Sequence, residues 1–322
     1  MTEASSLDDR NPVASPATTS PNIWFYEDQT PHRRLSLRAR RVLEDYATKF
    51  QQLTVLELYD WGTTLVLDGC VQMCEGDEFM YHEMLVHPPL FSLPKPAIDE
   101  GVRVLIIGGG DGGTAREVLK HEGIAHVDLV DIDPDVTKVS KVHFRHIWDM
   151  PDGSRLDEDR RLSIHFDDGI EWARHHAEKG TKYHVVLVDS SDPIGPGVGL
   201  FSEAFYRNLW TLVPDNGVVA VQSGSPVAQP QVTSLAAKGL RKAFGKSVTY
   251  TGIVANYPAG YWSYTGGSKG GHLGPAFKDP EGFRKRYERF VKANGALRYY
   301  NPEVHAAAFA LPGFVRELVD SA

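Results

Sequence analysis

The chain has 322 residues, of which 42% are hydrophobic and 24% charged, and its formal net charge is -8. These values are typical of a globular protein with one large core and a smaller attached unit, and the acidic balance argues against a nucleic-acid partner, which needs a basic surface. No apolar run approaches the roughly 20 residues that span a bilayer, and the N-terminus lacks the basic-then-apolar order of a signal peptide. We therefore expect a cytoplasmic protein with no membrane partner.

The N-terminal part of the chain divides into a tail and a small β domain. Residues 1–22 contain Ser, Thr, Pro and Asp with little apolar content, which predicts a disordered tail. Residues 23–76 alternate apolar and polar residues between two turn signals, D-W-G and D-G, which predicts an antiparallel sheet. Cys70 and Cys74 are expected to be small hydrophobic strand residues rather than a metal or redox pair.

The rest of the chain, residues 77–322, is predicted to form a catalytic α/β domain. Residues 77–87 have helical spacing, and we expect Pro88 and Pro89 to end this helix because proline lacks the backbone N–H. From Val102 onward strands and helices alternate, which predicts a doubly wound, mostly parallel Rossmann-like sheet.

The first strand of that sheet leads into a glycine-rich turn that contains an acid. Val104 to Gly113 reads V-L-I-I-G-G-G-D-G-G, with Asp111 inside the turn. An acid there would repel a pyrophosphate, so we predict a nucleoside ligand with no phosphate at this point and with positive charge near Asp111. S-adenosylmethionine and its decarboxylated form fit that description.

Further acids follow the next three predicted strands. Asp131 ends A-H-V-D-L-V-D, a little over twenty residues beyond Gly108, where an acid accepts hydrogen bonds from a ribose. Asp168 follows R-L-S-I-H-F and is placed to receive an adenine amino group, while Asp189 and Asp192 lie in V-V-L-V-D-S-S-D-P-I-G-P. By itself Asp189 would be interpreted as a helix cap. The acids at the ends of the other strands, Asp111, Asp131 and Asp168, favour a functional site instead.

Seven motifs, two of them described above, are specific enough to carry a family resemblance: L-V-L-D-G-C-V-Q (65–72), D-E-F-M-Y-H-E-M (77–84), G-G-G-D-G-G (108–113), D-S-S-D-P-I-G-P (189–196), L-F-S-E-A-F-Y (200–206), Y-P-A-G (257–260) and Y-Y-N-P-E-V-H-A-A-A-F-A-L-P (299–312). On these segments the chain resembles the polyamine aminopropyltransferase (spermidine synthase) family. Plain methyltransferases share the glycine loop and the ribose acid but differ in the other segments. The resemblance implies that the α/β domain is class I methyltransferase-like.

The resemblance also implies a reaction. A member of this family transfers the aminopropyl group of decarboxylated S-adenosylmethionine to putrescine, giving spermidine, or to a related amine, and releases methylthioadenosine. We therefore expect the decarboxylated nucleoside as a cosubstrate, with no tightly bound cofactor and no metal. A small-molecule polyamine is the expected partner, and the resemblance implies a homodimer or homotetramer.

The same resemblance assigns residues to the site. Asp189 is expected to be the catalytic base, with Tyr81 and Tyr257 orienting the attacking nitrogen. The cosubstrate is expected to contact Gln51, His82, Gly108, Gly110, Asp111, Asp131, Ile132, Asp168, Gly169 and Asp189. The amine is expected to contact Trp24, Tyr81, Asp189, Asp192, Gln222 and Tyr257. For Trp24 an ordinary core position is an equally good interpretation.

Two departures from the family pattern concern the acceptor. Asn256 stands where members usually have Thr beside the tyrosine, and the residues after Gln222 differ from the forms typical of the family.

Two other functions stay open at this point. An S-adenosylmethionine-dependent methyltransferase would bind the same nucleoside, although Asp111 and Asp189 would repel the methionine carboxylate. A non-catalytic polyamine- or nucleoside-binding relative is the other alternative.

Overall fold

The computed structural model describes residues 23–191 and 195–321, so the predicted tail over residues 1–22 lies outside the described residues. The first unit is an antiparallel sheet with its strands in sequence order: β1 (Ile23–Thr30), β2 (Arg33–Ala47), β3 (Gln52–Leu58), β4 (Gly62–Leu67) and β5 (Cys70–Cys74). Alternation along these strands places one set of apolar side chains in a small core. Cys74 is buried in that core, and Cys70 is half-buried in the same strand.

The second unit is a seven-stranded sheet in the order β11-β12-β10-β9-β6-β7-β8. The pairs among β6 to β10 are parallel, whereas both pairs made by β12 are antiparallel. The strands are β6 (Val102–Gly108), β7 (Ile124–Asp131), β8 (Leu162–Phe166), β9 (Val185–Asp189), β10 (Val218–Gln222), β11 (Val248–Ile253) and β12 (Tyr261–Ser268). Its central strands are near-continuous apolar runs because helices cover both faces.

The helices of the described chain are α1 (Glu78–Ser92), α2 (Lys95–Asp99), α3 (Gly113–Leu119), α4 (Pro134–His143), α5 (Arg145–Trp148), α6 (Gly169–Glu178), α7 (Glu203–Leu212), α8 (Pro230–Phe244), α9 (Pro280–Asn294), α10 (Pro302–Ala308) and α11 (Gly313–Asp320). One core packs α1 and α3 to α5 on one face of the sheet, and a second packs α6, α7 and α8 on the other. This is the predicted doubly wound arrangement. None of the described helices has the length and apolar character needed to cross a membrane.

The first helix is longer than predicted. We expected Pro88 and Pro89 to end it, but α1 continues through both prolines to Ser92. Nearly all of its residues are buried, so packing outweighs the two lost backbone hydrogen bonds. The Ser92 hydroxyl donates to the Pro89 carbonyl at 2.7 Å, which satisfies one of the carbonyls at the helix end. The predicted domain boundary after residue 76 falls in the turn between β5 and α1 and stays a prediction.

Strands β6 and β9 lie side by side although β7 and β8 come between them in the chain. Gly108 at the end of β6 is in register with Asp189 at the end of β9, and the Gly109 N–H donates to the Asp189 carbonyl at 2.9 Å. The strand order reverses at this point, and in such sheets ligands bind in the crevice beyond the carboxyl ends of the strands.

Gly108 makes this close approach possible. Its φ is +82°, and a Cβ atom there would lie 2.0 Å from the Asp189 backbone oxygen. Gly69 is a matched control, because its φ is +77° and a Cβ atom there would meet no atom within 4 Å.

We expect Gly69→Ala to cost only the left-handed backbone penalty of about 1–2 kcal/mol. Gly108→Ala should lower the free energy of unfolding by clearly more, because the β6 and β9 backbones must also separate. Urea unfolding of both variants measures the difference. Equal losses would show that the strand contact does not depend on the glycine.

Candidate active site

A large open cavity lies at the carboxyl ends of β6 to β9, and residues of β1, β4 and β5 form part of its wall. The wall includes nearly all of the predicted site residues, namely Gln51, Tyr81, His82, Gly108, Gly110, Asp111, Asp131, Ile132, Asp168, Gly169, Asp189, Gln222 and Tyr257. The strand-end acids named in the sequence analysis are therefore brought together as expected. Asp192 lies outside the described residues.

Strand β1 contributes to the cavity through a different residue from the one predicted. Trp24 is 44% exposed and does not line the cavity, which does not support its predicted role in amine binding. Side chains alternate along a strand, so Trp24 and Glu27 project from opposite faces. Glu27 is 4% exposed and lines the cavity with Asp28 and Gln29. The same alternation, applied to N-I-W-F-Y-E, is the signal that would have singled out Glu27.

Asp189 is held by two hydroxyl groups. Its Oδ1 accepts from the Tyr81 hydroxyl at 2.7 Å, and its Oδ2 accepts from Thr114 Oγ1 at 2.6 Å. Burial and the negative charge of Asp111 raise the pKa of Asp189, against the opposing effects of these bonds and of His82. The result is an oriented carboxylate that is more basic than an exposed one. The sequence analysis did not name Thr114, which lies in the first turn of α3 directly after the glycine turn.

Asp111 has a cationic neighbour inside the protein. Its Oδ1 accepts from the Gly113 N–H at 2.7 Å and lies 3.4 Å from His82 Nε2. The other ring nitrogen of His82, Nδ1, lies 2.6 Å from Glu78 Oε2. Burial lowers the pKa of His82, but its bonds to the two carboxylates outweigh burial and raise that pKa to about 10. His82 is therefore an imidazolium at neutral pH, and its charge lowers the pKa of Asp111.

This protonation state also bears on metal binding. Among the described residues, one group of possible ligand atoms lies within 4.8 Å of one another, that of His82, Asp111 and Asp189. In its protonated form His82 has no lone pair to offer a metal ion. In that form the group is an arrangement of charges that can meet organic cations.

The acid after β7 is fixed by backbone donors. Asp131 Oδ2 accepts from the Gly110 N–H and Oδ1 from the Asp133 N–H, both at 2.9 Å. Removal from water raises the pKa of Asp131 to about 6, although these bonds lower it. Gln51 Nε2 donates to Asp133 Oδ2 at 2.9 Å, which ties the β domain to this edge of the sheet.

Asp168 lies at the start of α6, where its Oδ1 accepts from the Ile170 N–H at 2.8 Å. It therefore caps the helix and lines the cavity at the same time. Its second oxygen accepts none of the described hydrogen bonds, so the position agrees with the expected contact to a ligand.

Two tyrosine rings form the wall beside Asp189. The centroids of Tyr81 and Tyr257 are 5.5 Å apart, and Trp262 packs edge-on against Tyr257 at 4.6 Å. Burial raises the pKa of both tyrosines well above the usual value, so both are neutral hydrogen-bond donors. The Tyr257 hydroxyl donates to the Gln72 carbonyl on β5, which joins the two sheets across the cavity.

Gln222 and Asn256 act on the backbone around the site. Gln222 Nε2 donates to the Ser190 carbonyl at 2.9 Å, and its Oε1 accepts from the Gly224 N–H at 3.0 Å. The amide therefore ties the loop that follows Asp189 to the loop that follows β10. Asn256 is buried and does not line the cavity; its backbone N–H and Nδ2 each donate to Asp77 Oδ2 at 2.9 Å. The departure at residue 256 thus anchors the loop of Tyr257 to the start of α1.

Comparison with known proteins places the chain in a family. The model of the spermine/spermidine synthase domain matches residues 78–273, and that of the spermidine synthase tetramerisation domain matches residues 23–75. The chain belongs to the spermine/spermidine synthase family. A polyamine aminopropyltransferase of Alkaliphilus metalliredigens is 36% identical over 302 residues, which cover 93% of this chain and 98% of that protein. One of Thermoanaerobacter sp. is 37% identical, over 92% of this chain and 99% of that protein.

Solved structures agree with the fold of this spermine/spermidine synthase family member. A spermidine synthase in complex with the transition state analogue AdoDATO has a TM-score of 0.81 and 34% identity, covering 93% of this chain and 96% of that one. The spermidine synthase of Thermotoga maritima has a TM-score of 0.77 and 32% identity, covering 92% and 94%. The predictions of family and fold class are confirmed, and the chain is an aminopropyltransferase, an enzyme that transfers an alkyl group other than methyl.

A double-mutant cycle tests the anchor between Asn256 and Asp77. We expect Asn256→Ala to lower the free energy of unfolding by about 1.5–3 kcal/mol, because a hydrogen bond to a buried carboxylate is lost. The same change in an Asp77→Asn background should cost less, and urea unfolding of the four proteins gives the coupling. Purely additive losses would contradict the anchor.

Proposed function

We propose that this aminopropyltransferase takes its aminopropyl group from decarboxylated S-adenosylmethionine and transfers it to putrescine, giving spermidine, or to a related amine, with release of methylthioadenosine. The observation that carries this proposal is the pair of carboxylates Asp111 and Asp189, which lie together beyond the ends of two adjacent strands. Two neighbouring acids in a partly closed cavity favour cationic ligands. The spermidine synthase that binds AdoDATO supports the proposal.

The nucleoside is expected to lie across the ends of β6, β7 and β8. Asp131 offers oxygens already oriented by backbone N–H groups to the ribose hydroxyls, and Asp168 offers an oxygen to the adenine amino group. The glycine turn allows close approach, since a Cβ atom at Gly110 would lie 2.7 Å from Asp131 Oδ2. The rest of the expected nucleoside wall consists of Gln51, Gly108, Ile132 and Gly169.

The charge of the site favours the decarboxylated donor. The aminopropyl ammonium would be attracted by Asp111 and Asp189, whereas an intact methionine carboxylate at the same place would meet two like charges. His82 neutralises part of the charge of Asp111 but is itself shared with Glu78. This argues against the methyltransferase alternative.

The acceptor is expected to run from Asp189 toward β1. Its reacting nitrogen would lie beside Tyr81 and Tyr257, and its distal ammonium would be attracted by Glu27, which is buried in the wall of the same cavity. The adjacent Asp28 is paired with Arg34. A cation with two separated ammonium groups matches a cavity with acids at both ends. The predicted contact of Asp192 with the amine stays a prediction.

The chemical step follows from the basicity of Asp189. Its carboxylate removes a proton from the ammonium of the acceptor, which frees the nitrogen lone pair. The nitrogen then forms a bond to the methylene carbon next to the sulfonium, the carbon–sulfur bond breaks, and its electron pair returns to sulfur. Methylthioadenosine leaves as a neutral thioether, and the proton on Asp189 passes to water. The step needs no oxidant, reductant or metal.

The antiparallel sheet bears on the assembly of the protein. Residues 23–75 match the spermidine synthase tetramerisation domain, which supports a homo-oligomer formed through the antiparallel sheet. We propose a homodimer or homotetramer, located in the cytoplasm and without nucleic-acid or membrane partners.

Substitution of the base tests the reaction directly. The purified parent enzyme should release methylthioadenosine only when both decarboxylated S-adenosylmethionine and an amine are present, and a panel of amines read by mass spectrometry identifies the acceptor. Asp189→Asn should lower kcat by on the order of 10²–10⁴-fold. The exposed Asp167→Asn, which removes a carboxylate that does not line the cavity, is the control and should retain the parent rate. Turnover of Asp189→Asn near that of the control would rule out the assigned base.

The raised pKa of Asp131 predicts a pH dependence of nucleoside binding. Below a pKa of about 6 this acid is protonated and loses acceptor capacity for the ribose hydroxyls. Methylthioadenosine is the suitable ligand, because it lacks the ammonium that Asp111 and Asp189 would attract. We expect its Kd to rise about tenfold between pH 7 and pH 5, measured by calorimetry. Asp131→Asn should bind more weakly, with little change over this range, and a parent Kd that is independent of pH would contradict the role.

A further inference from the structure

Charged side chains of alternating sign extend from the cavity into the protein. We call this row the buried ion chain; its members, in order, are Asp111, His82, Glu78, Arg116 and Glu117. The side chain of Arg116 is 12% exposed and that of Asp111 16%, and the other three are at most 4% exposed. The buried ion chain connects the glycine turn, the first turns of α1 and the helix α3.

Each link of the buried ion chain is a direct contact. His82 Nε2 lies 3.4 Å from Asp111 Oδ1, and His82 Nδ1 lies 2.6 Å from Glu78 Oε2. Arg116 donates to both oxygens of Glu78, at 3.0 and 2.8 Å. Its Nε donates to Glu117 Oε1 at 2.8 Å. Glu78 is therefore the one carboxylate of the chain that contacts both cations.

We propose that Glu78 is a positioning residue that keeps His82 protonated, so that Asp111 stays ionised and Asp189 is the carboxylate that receives the proton of the amine. The inference rests on the proposed function, because it assigns the two members of the acid pair different tasks. Asp111 holds a cation throughout, and Asp189 gains and loses a proton.

The surroundings of His82 contain more acids than bases. The titratable and charged groups around His82 and Glu78 include Asp77 directly before α1, Tyr81 on α1, Asp111 in the glycine turn, Asp189 on β9, Arg116 on α3 and His146 on α5. Burial lowers the pKa of His146, which favours its neutral form. The bonds of Glu78 to His82 and Arg116 lower its own pKa to about 2 although burial opposes this, so it is ionised at every relevant pH.

Loss of the Glu78 charge would change this balance. Two buried cations, His82 and Arg116, would face each other with no anion between them, each left with one carboxylate, Asp111 or Glu117, on its far side. A less compensated buried charge is costly. His82 is the one that can release a proton at moderate pH. With a neutral His82, Asp111 and Asp189 would be adjacent carboxylates without a counter-ion, and one of them would retain a proton to higher pH.

Glu78→Gln tests the inference through the pH profile of kcat/KM, whose acidic limb reports the free enzyme. We expect that limb to move upward by about 1 pH unit or more. Glu117→Gln is the matched control, because it removes an equally buried carboxylate from the other side of Arg116 without touching His82. Its acidic limb should stay at the parent position. An unshifted limb in folded Glu78→Gln, or an equal shift in both variants, would overturn the inference.

A second measurement does not depend on turnover. The ¹⁵N shifts of His82, assigned with His82→Gln, should show an imidazolium at pH 8 in the parent protein and a neutral ring in Glu78→Gln. A parent His82 that is neutral at pH 8 would overturn the inference even if Glu78→Gln did not fold. A parent protein with protonated His82 that releases no methylthioadenosine would contradict the proposed function alone.

Discussion

The site depends on the direct contact between two strands that are distant in sequence. Because β6 and β9 are in register from Val104 to Gly108, the glycine turn after β6 and the acid at the end of β9 are forced to the same place. A side chain at residue 108 would collide with the Asp189 backbone. The glycine that looks like part of a nucleotide-binding turn therefore has a second task, which is to bring the carboxylates at 111 and 189 together.

Asp111 and Asp189 can lie close together because their surroundings shift their pKa values in opposite directions. Asp111 is next to an imidazolium and a backbone N–H, which lower its pKa, whereas Asp189 accepts from two neutral hydroxyls and its pKa is raised. Pairs of titratable groups whose pKa values are driven apart by their environments are a common way to separate holding from proton transfer. The charge of His82 determines which carboxylate holds the cation and which one accepts the proton.

The sequence was sufficient to predict the strand-end acids but not the side chains that support them. Strand-end acids follow apolar runs at visible positions, and the carboxyl ends of parallel strands must meet, so Asp111, Asp131, Asp168 and Asp189 were predictable. Thr114 and Glu78 were not, because Thr114 meets Asp189 of β9 and Glu78 meets Arg116 of α3 through contacts between elements that no local pattern encodes. The i,i+4 spacing of Glu78 and His82 was the one part of this arrangement visible in the sequence. Pro88 and Pro89 misled for a related reason: local propensity argued against the helix, and burial between the sheet and its neighbours outweighed it.

The antiparallel sheet completes the cavity that the α/β sheet begins. Gln51 reaches Asp133, and the Tyr257 hydroxyl reaches the Gln72 carbonyl, so side-chain hydrogen bonds connect the two sheets on either side of the opening. Glu27 then places a buried acid in the wall of the same cavity. On the proposed assignment, the donor carries its cationic sulfur near the strand ends and a diamine carries charge at both ends, so acids from both sheets serve two cationic substrates. The same proposal gives the small domain a part in the chemistry as well as in the assembly.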